Sequence, residues 1–326
     1  MSLSVRPYET TDENVWDEFC MRALQATLLH TRRFLSYHGD RFSDCSLIIE
    51  DEGKCVGLFP AAHSPLDPAC VISHPGITYG GVLHSGDLRG ERMVSALAEI
   101  CDHFRARAVE RLTYKAVPNF YHRAPAQDDI YALFRIGAKL SRCDMSCTID
   151  LQYRLAVSER RRRSLKKAIK SGVEIVEGSQ YLPNLWVVLV ENLATKHGAN
   201  PVHSLDEIVL LADRFPEHIR CICARIDGKV VAGVLLFITP TAHHAQYIAS
   251  SETGYVVSAL DLVFEYAIKA AGKQGSRWFD FGISNENQGK LLNDGLYRFK
   301  SEFGGGGTVH EFYELKLVAG MSHAFE

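Results

Sequence analysis

Long apolar runs are missing from this 326-residue chain. Its longest central stretch, Val230-Val231-Ala232-Gly233-Val234-Leu235-Leu236-Phe237-Ile238, is about half of what a spanning helix requires, so no transmembrane segment is expected. An excess of charge of one sign is missing too. Thirty-six Lys and Arg against 39 Asp and Glu leave a net charge of −3, which gives no global attraction to nucleic acid or anionic lipid. Any polyanion contact must therefore be a local patch, and DNA is not an expected partner. Arg6 is followed by no apolar h-region, so no secretory signal is expected and the chain reads as cytoplasmic. The nine cysteines contain no Cys-x-x-Cys pair and no regular framework. They read as reduced, mostly buried thiols, and no metal site is expected.

What is present is an ordinary globular composition, 46% hydrophobic and 23% charged, which excludes disordered and fibrous classes. The length favours two domains. Periodicity predicts a helix from Glu13 to roughly His30, and a hairpin of 46–50 and 54–60 turning at Gly53. A Gly-rich extended stretch follows at 74–83, then a helix over 89–109 and a strand over 111–117 closed by Pro118. The second half gives the same order: helix 182–197, hairpin 220–226 and 229–237 around Asp227-Gly228, strand 243–250, helix 257–273 and strand 278–281. Such repetition points to two copies of one unit. Between them Ser158 reads as the N-cap and Gly172 as the terminating glycine of a strongly basic helix, 158–171. These signals predict domains at 1–152 and 153–317, with a tail at 318–326.

Chemistry concentrates in Trp278 to Gly305. A strand delivers Asp280 and Gly282 to a loop, and a short helix then presents Leu296, Phe299, Lys300 and Phe303. The Phe279-Asp280-Phe281-Gly282 stretch, Asn293-x-Gly295-Leu296 and Phe299-Lys300-x-x-Phe303-Gly304 resemble the C-terminal signature of FemAB-type acyltransferases. Lys115-x-Val117-Pro118-x-x-Tyr121-His122 and Lys166-Lys167-Ala168-x-x-x-Gly172 resemble the same superfamily. The resemblance implies an α+β (mixed α/β) fold of two tandem GNAT-like (acyl-CoA N-acyltransferase) domains, each a central mixed sheet flanked by helices. It implies an N-acyltransferase acting on an amine, such as an amino sugar or peptide of envelope or polysaccharide synthesis.

The likeness carries over to Phe299-Lys300, with Lys300 stabilising the developing oxyanion. Asp280 either orients Lys300 or the acceptor amine, or caps the turn at Gly282. Tyr247 serves as a general acid or as strand packing. Asn285 and Asn293 bind acceptor or satisfy backbone groups. Tyr79, Tyr121 and His122 are expected on the acceptor side, with His122 a possible base. His243 and His244, adjacent in a strand, face opposite sides and cannot chelate one metal together; at least one is expected to be a plain surface residue.

A coenzyme A donor needs backbone N–H groups at a helix N-terminus to hold its pyrophosphate. Of that pattern the 251–259 loop supplies Gly254, with Ser258 behind it, and Arg163 and Lys167 of the basic helix are candidate phosphate contacts. No tightly bound cofactor is expected, and an acyl-CoA would be a donor substrate. Two alternatives stay open, namely aminoacyl transfer from tRNA and a non-catalytic ligand-binding scaffold of the same fold.

Overall fold

A computed structural model of the chain describes residues 3–197 and 200–317, with backbone alone at 196 and 197. The expected tail at 318–326 lies outside the described residues. The chain divides into two compact units. The N-terminal unit runs to Asp144 and takes in Asn287–Leu291 and the stretch from Val309; the C-terminal unit comprises Met145–Glu286 and Leu292–Thr308. The division therefore falls inside a strand, Lys139–Asp150, that the polar sequence Lys139-Leu140-Ser141-Arg142 does not announce.

In the N-terminal unit the strands are β1 (Leu3–Pro7), β2 (Leu47–Asp51), β3 (Lys54–Phe59), β4 (Ala62–Ser64), β5 (Asp67–Ile72), β6 (Leu83–His84) and β7 (Arg111–Lys115). Its α-helices are α1 (Glu13–Arg22), α2 (Arg32–Leu35), α3 (Glu91–Arg105) and α4 (Asp128–Arg135). One sheet has the order β1-β2-β3-β6; in the other, β4, β5 and β7 are followed by the C-terminal strand Gly306–Lys316. The β2–β3 hairpin turns through Glu52 and Gly53, both at positive φ (51° and 78°), as a two-residue turn of this kind demands. The helix expected over 13–30 ends at Arg22, because the following segment finds other partners. Leu24 N donates to the His84 carbonyl at 2.8 Å, and Trp16 Nε1 to the His30 carbonyl at 2.8 Å.

The apolar face of α3, including Leu97, Ile100 and Phe104, packs with Ile49, Phe59 and Tyr114 in one core. That core encloses one polar pair. Tyr114 Oη donates to Asp129 Oδ2 at 2.6 Å and accepts from Val82 N at 2.8 Å. Burial pushes the Asp129 carboxyl up to about 6. Because this folded-state value lies above the unfolded one, the native chain binds the extra proton between about pH 4 and 6, and stability falls as pH rises through that window. Denaturant midpoints measured from pH 4 to 6 are expected to decline in the parent and to flatten in Asp129→Asn; an unchanged slope would assign the decline elsewhere.

The C-terminal unit contains the end of β8 (Lys139–Asp150), then α5 (Glu159–Lys170), β9 (Glu174–Glu177), α6 (Leu182–His197), α7 (Leu205–Arg214), β10 (Ile219–Ile226), β11 (Lys229–Ile238) and β12 (Ala242–Ser250). There follow α8 (Glu252–Val257), α9 (Ala259–Lys273), β13 (Trp278–Ile283), the short β14 (Asn285–Glu286) and β15 (Leu291–Leu292), α10 (Asp294–Ser301) and the start of β16 (Gly306–Lys316), which from Val309 belongs to the N-terminal unit. Its sheet has the order β8-β13-β12-β11-β10-β9. Phe279 and Phe281 alternate inward from β13 and meet Phe264 of α9, with ring centroids 4.8 Å apart for Phe264 and Phe281, while Phe303 closes the cluster at 5.5 Å from Phe281.

The doubling read from the sequence appears in the topology. Each unit has an antiparallel hairpin (β2–β3, β10–β11), and each has a strand pair joined by a long helical crossover and aligned parallel (β5–β7, β12–β13). Parallel pairing requires such a crossover.

Candidate active site

The parallel contact between β12 and β13 is short. It covers Ala242↔Trp278, His243↔Phe279 and His244↔Asp280, although β12 continues to Ser250. Beyond His244 the two strands part, and both are irregular there. β12 carries an extra residue at Gln246, since Leu235 faces Tyr247 while Leu236 faces Ala245. β13 does the same against β8, stepping from Asp280↔Thr148 to Ile283↔Ser146, and Gly282 absorbs the extra residue at φ 75°. Bulges of this kind bend a strand and redirect its side chains.

At the parting point the side chains converge on Asp280, which is fully buried. Its Oδ2 lies 2.6 Å from His244 Nδ1. Its Oδ1 accepts from Ser146 Oγ at 2.6 Å and from Gly282 N at 3.1 Å. The carboxylate thus fixes the imidazole: Nδ1–H donates to Asp280, which places the basic lone pair on Nε2. His244 keeps 14% of its side-chain surface accessible, against none for Asp280. Gly282 is required for this approach, because a Cβ there would stand 3.3 Å from His244 Cε1 on a backbone that L-residues rarely adopt.

The other side of the Gly282 peptide is held by Lys300. Its Nζ donates to the Gly282 carbonyl at 2.9 Å and to the Ile283 carbonyl at 2.7 Å. The residue is 3% exposed, and burial lowers its pKa to about 8, with the Asp280 charge opposing that shift. An ammonium has three donors, and two of them anchor the turn.

Lys300 and Asp280 thus hold the same turn from two sides, Asp280 accepting from the Gly282 N–H and Lys300 donating to the Gly282 carbonyl. Asn285 and Asn293 flank them with structural contacts. The Asn285 carbonyl oxygen accepts from Met145 N, and Asn293 caps α10 by accepting from Leu296 N at 3.0 Å. Phe299 packs on Phe303 at 5.3 Å, under the Arg161 guanidinium at 4.9 Å. Tyr247 Oη lies 2.6 Å from His203 Nδ1, its ring stands edge-on to Trp186 at 5.1 Å, and burial raises its pKa. Gly254 N donates to Ser251 Oγ at 3.2 Å, and a Cβ at Gly254 would meet the Val231 carbonyl oxygen at 2.4 Å, so packing on β11 already demands glycine. Ser258 joins α8 to α9 in the left-handed conformation, φ 60°. Arg163 and Lys167 stand exposed on α5.

Tyr79, Tyr121 and His122 belong to the N-terminal unit. Tyr79 and Tyr121 are buried with ring centroids 4.7 Å apart. His122 Nε2 bonds the Val117 carbonyl at 2.9 Å, and burial lowers its pKa to about 4.

Of the adjacent histidines, neither is a plain surface residue. His243 is 1% exposed and bonds Ser276 and Gln274, and His244 faces Asp280 from the opposite side. His244 and Ser146, both bonded to Asp280, are candidate site residues that sequence reading missed. Register carries the missing signal: parallel alignment of β12 on β13 sets His244 beside Asp280, and that alignment is invisible in one strand alone. Among the described residues no group of three His, Cys, Asp or Glu could hold a metal ion, and no helix is long and apolar enough to cross a membrane. All nine cysteines are free thiols.

Residues 154–301 match the sequence model of the acetyltransferase (GNAT) domain. No curated protein matches the chain. Among solved structures it is similar to FemX (TM-score 0.67, 12% identity, 95% of this chain and 97% of that one). It is similar to L-PGS from Bacillus licheniformis (0.62, 11%, 94% and 91%). A tandem GNAT protein from the clavulanic acid biosynthesis pathway is a third (0.54, 14%, 97% and 99%). Residues 154–301 thus match a GNAT acetyltransferase domain, and the chain as a whole has the tandem GNAT-like fold of these structures.

Proposed function

We propose that the C-terminal unit moves an acyl group, an acetyl in the simplest case, from an acyl-CoA thioester to an amine, with His244 as general base. The observation that carries this reading is the His244–Asp280 pair at the point where β12 and β13 part. The acceptor nitrogen attacks the acyl carbonyl carbon, the new C–N bond forms, and the carbonyl electron pair moves to oxygen. His244 Nε2 takes the proton from nitrogen, and the resulting imidazolium is stabilised by Asp280. Collapse of the tetrahedral species breaks the C–S bond, and the departing thiolate takes that proton back. Lys300 supplies positive charge to the oxyanion while its two carbonyl bonds keep the turn rigid. An amino sugar or peptide amine of envelope or polysaccharide assembly is the acceptor class that the fold likeness suggests.

A second reading, transfer of an aminoacyl group from tRNA, is favoured by one specific observation. The loop at Gly254 has its N–H turned to Ser251 Oγ, with Glu252 in the first turn of α8, which suits a pyrophosphate poorly. Calorimetry with acetyl-CoA and with coenzyme A, beside a transfer assay with aminoacyl-tRNA, decides between them. Saturable acetyl-CoA binding with acetyl transfer to an amine is the expected result. Transfer from aminoacyl-tRNA alone would establish the second reading, and neither activity would leave a ligand-binding scaffold.

A further inference from the structure

We infer that the outer face of α5 docks on an acidic lipid bilayer. The inner side of this helix is set by Arg161 and Ala168, 6% and 0% exposed. Arg163, Lys166, Lys167 and Lys170 follow at i, i+3, i+4 and i+7, so they form one stripe on the opposite side, about 10 Å long at 1.5 Å per residue. All four are exposed.

The acidic groups around this helix are taken by other cations, Glu174 just beyond its end by Arg225. Glu159 pairs with Arg162, and Glu302 with Arg160 and Arg161. Among the described residues none of the four stripe side chains has an ion pair or hydrogen bond. Four like charges at neighbour spacing repel one another, and in a chain of net charge −3 such a ridge is a local exception.

The helix is preformed. Ser158 Oγ accepts from Arg161 N, and Gly172 ends it at φ 72°, so the charges need no ordering on contact. A phosphate-bearing surface is the complementary partner.

Two details select lipid over RNA. The stripe carries no aromatic ring on which a base could stack. Its flank carries Ile169, 60% exposed, an apolar group suited to the headgroup–acyl boundary. A cluster of this size on one helix face is what anionic headgroups attract, with salt weakening the contact.

The test is co-sedimentation of the full chain with phosphatidylcholine vesicles containing about 30% phosphatidylglycerol, against phosphatidylcholine alone. Binding to the acidic vesicles only, weakened at 0.5 M salt by roughly tenfold or more, is expected. R163Q/K166Q/K167Q/K170Q should lower partitioning by about 100-fold or more, with an unchanged thermal midpoint showing that it folds. Ile169→Ala should lower it by a few-fold. Equal binding to neutral vesicles, no binding to acidic ones, or tighter binding of duplex RNA than of acidic vesicles would each overturn the proposal.

Discussion

Replacing His244 with glutamine is expected to lower kcat by about 10²–10⁴, the range for loss of a positioned general base, with little change in KM for either substrate. The expectation rests on what the imidazole does in the fold. Its Nδ1 is bound by a buried carboxylate that Ser146 and the Gly282 N–H also hold, so the ring has one orientation and one tautomer. Glutamine can keep a hydrogen bond to Asp280 but offers no titratable nitrogen to the acceptor. Asp280→Asn should cost a similar factor through the same atom, because an amide can present an N–H where the imidazole needs an acceptor. Saturating initial rates, with circular dichroism to show that the sheet is intact, check both. A His244→Gln enzyme within twofold of the parent would remove the dyad from the chemistry.

The second large effect concerns Lys300. Lys300→Met is expected to lower kcat by about 10²–10³, the scale for losing one oxyanion-stabilising donor. Its pH dependence separates this role from simple support of the turn. Burial lowers the Lys300 pKa to about 8, so the charge disappears within an accessible range and kcat should fall as pH rises through 8. Stability should move the other way. A folded-state pKa below the ordinary 10.5 means that the native chain binds fewer protons than the unfolded one between about pH 8 and 10.5, so this group's contribution to stability rises across that window. Opposite trends in rate and stability would identify the ammonium as catalytic. Lys300→Arg, which keeps its proton, should carry the falling limb of the rate profile beyond the measurable range. A parent profile that stays flat to pH 10 would reduce Lys300 to an anchor of the Gly282–Ile283 turn.

Much of the architecture was legible because local rules and global packing agree. Glu52-Gly53 and Asp227-Gly228 announce two hairpins, and both are present with positive φ at each turn residue. The alternation Phe279-Asp280-Phe281 sends two rings to the core and one carboxylate to the other face, as a period of two requires. Ser158 and Gly172 bound the basic helix as read. Two of the strands missed have a weak pattern, while α4 and the capped α7 were passed over despite amphipathic faces. β8 opens with Lys139-Leu140-Ser141-Arg142, and β16 with glycines, so neither shows a strand-like apolar run.

Lys300 and Asp280 were proposed from their motif, whereas His244 was hidden by its neighbour: two adjacent histidines look equivalent until the register sets one on Ser276 and Gln274 and the other on Asp280. Asn285 and Asn293 illustrate the converse. Both sit inside the recognised motif, and both side-chain oxygens accept backbone N–H groups, from Met145 and Leu296.

The path of the polypeptide has a consequence for biosynthesis. Strand β7 of the N-terminal unit is flanked by Phe312–Lys316, which lie near the far end of the chain. A nascent chain that has just exposed residue 144 still lacks the segment that pairs with β7. At usual synthesis rates that segment arrives roughly 10–30 s later. Folding of the first unit to its final hydrogen-bonded state must therefore wait for translation of the second, and a ribosome stalled between them would release a chain with an open sheet edge prone to self-association.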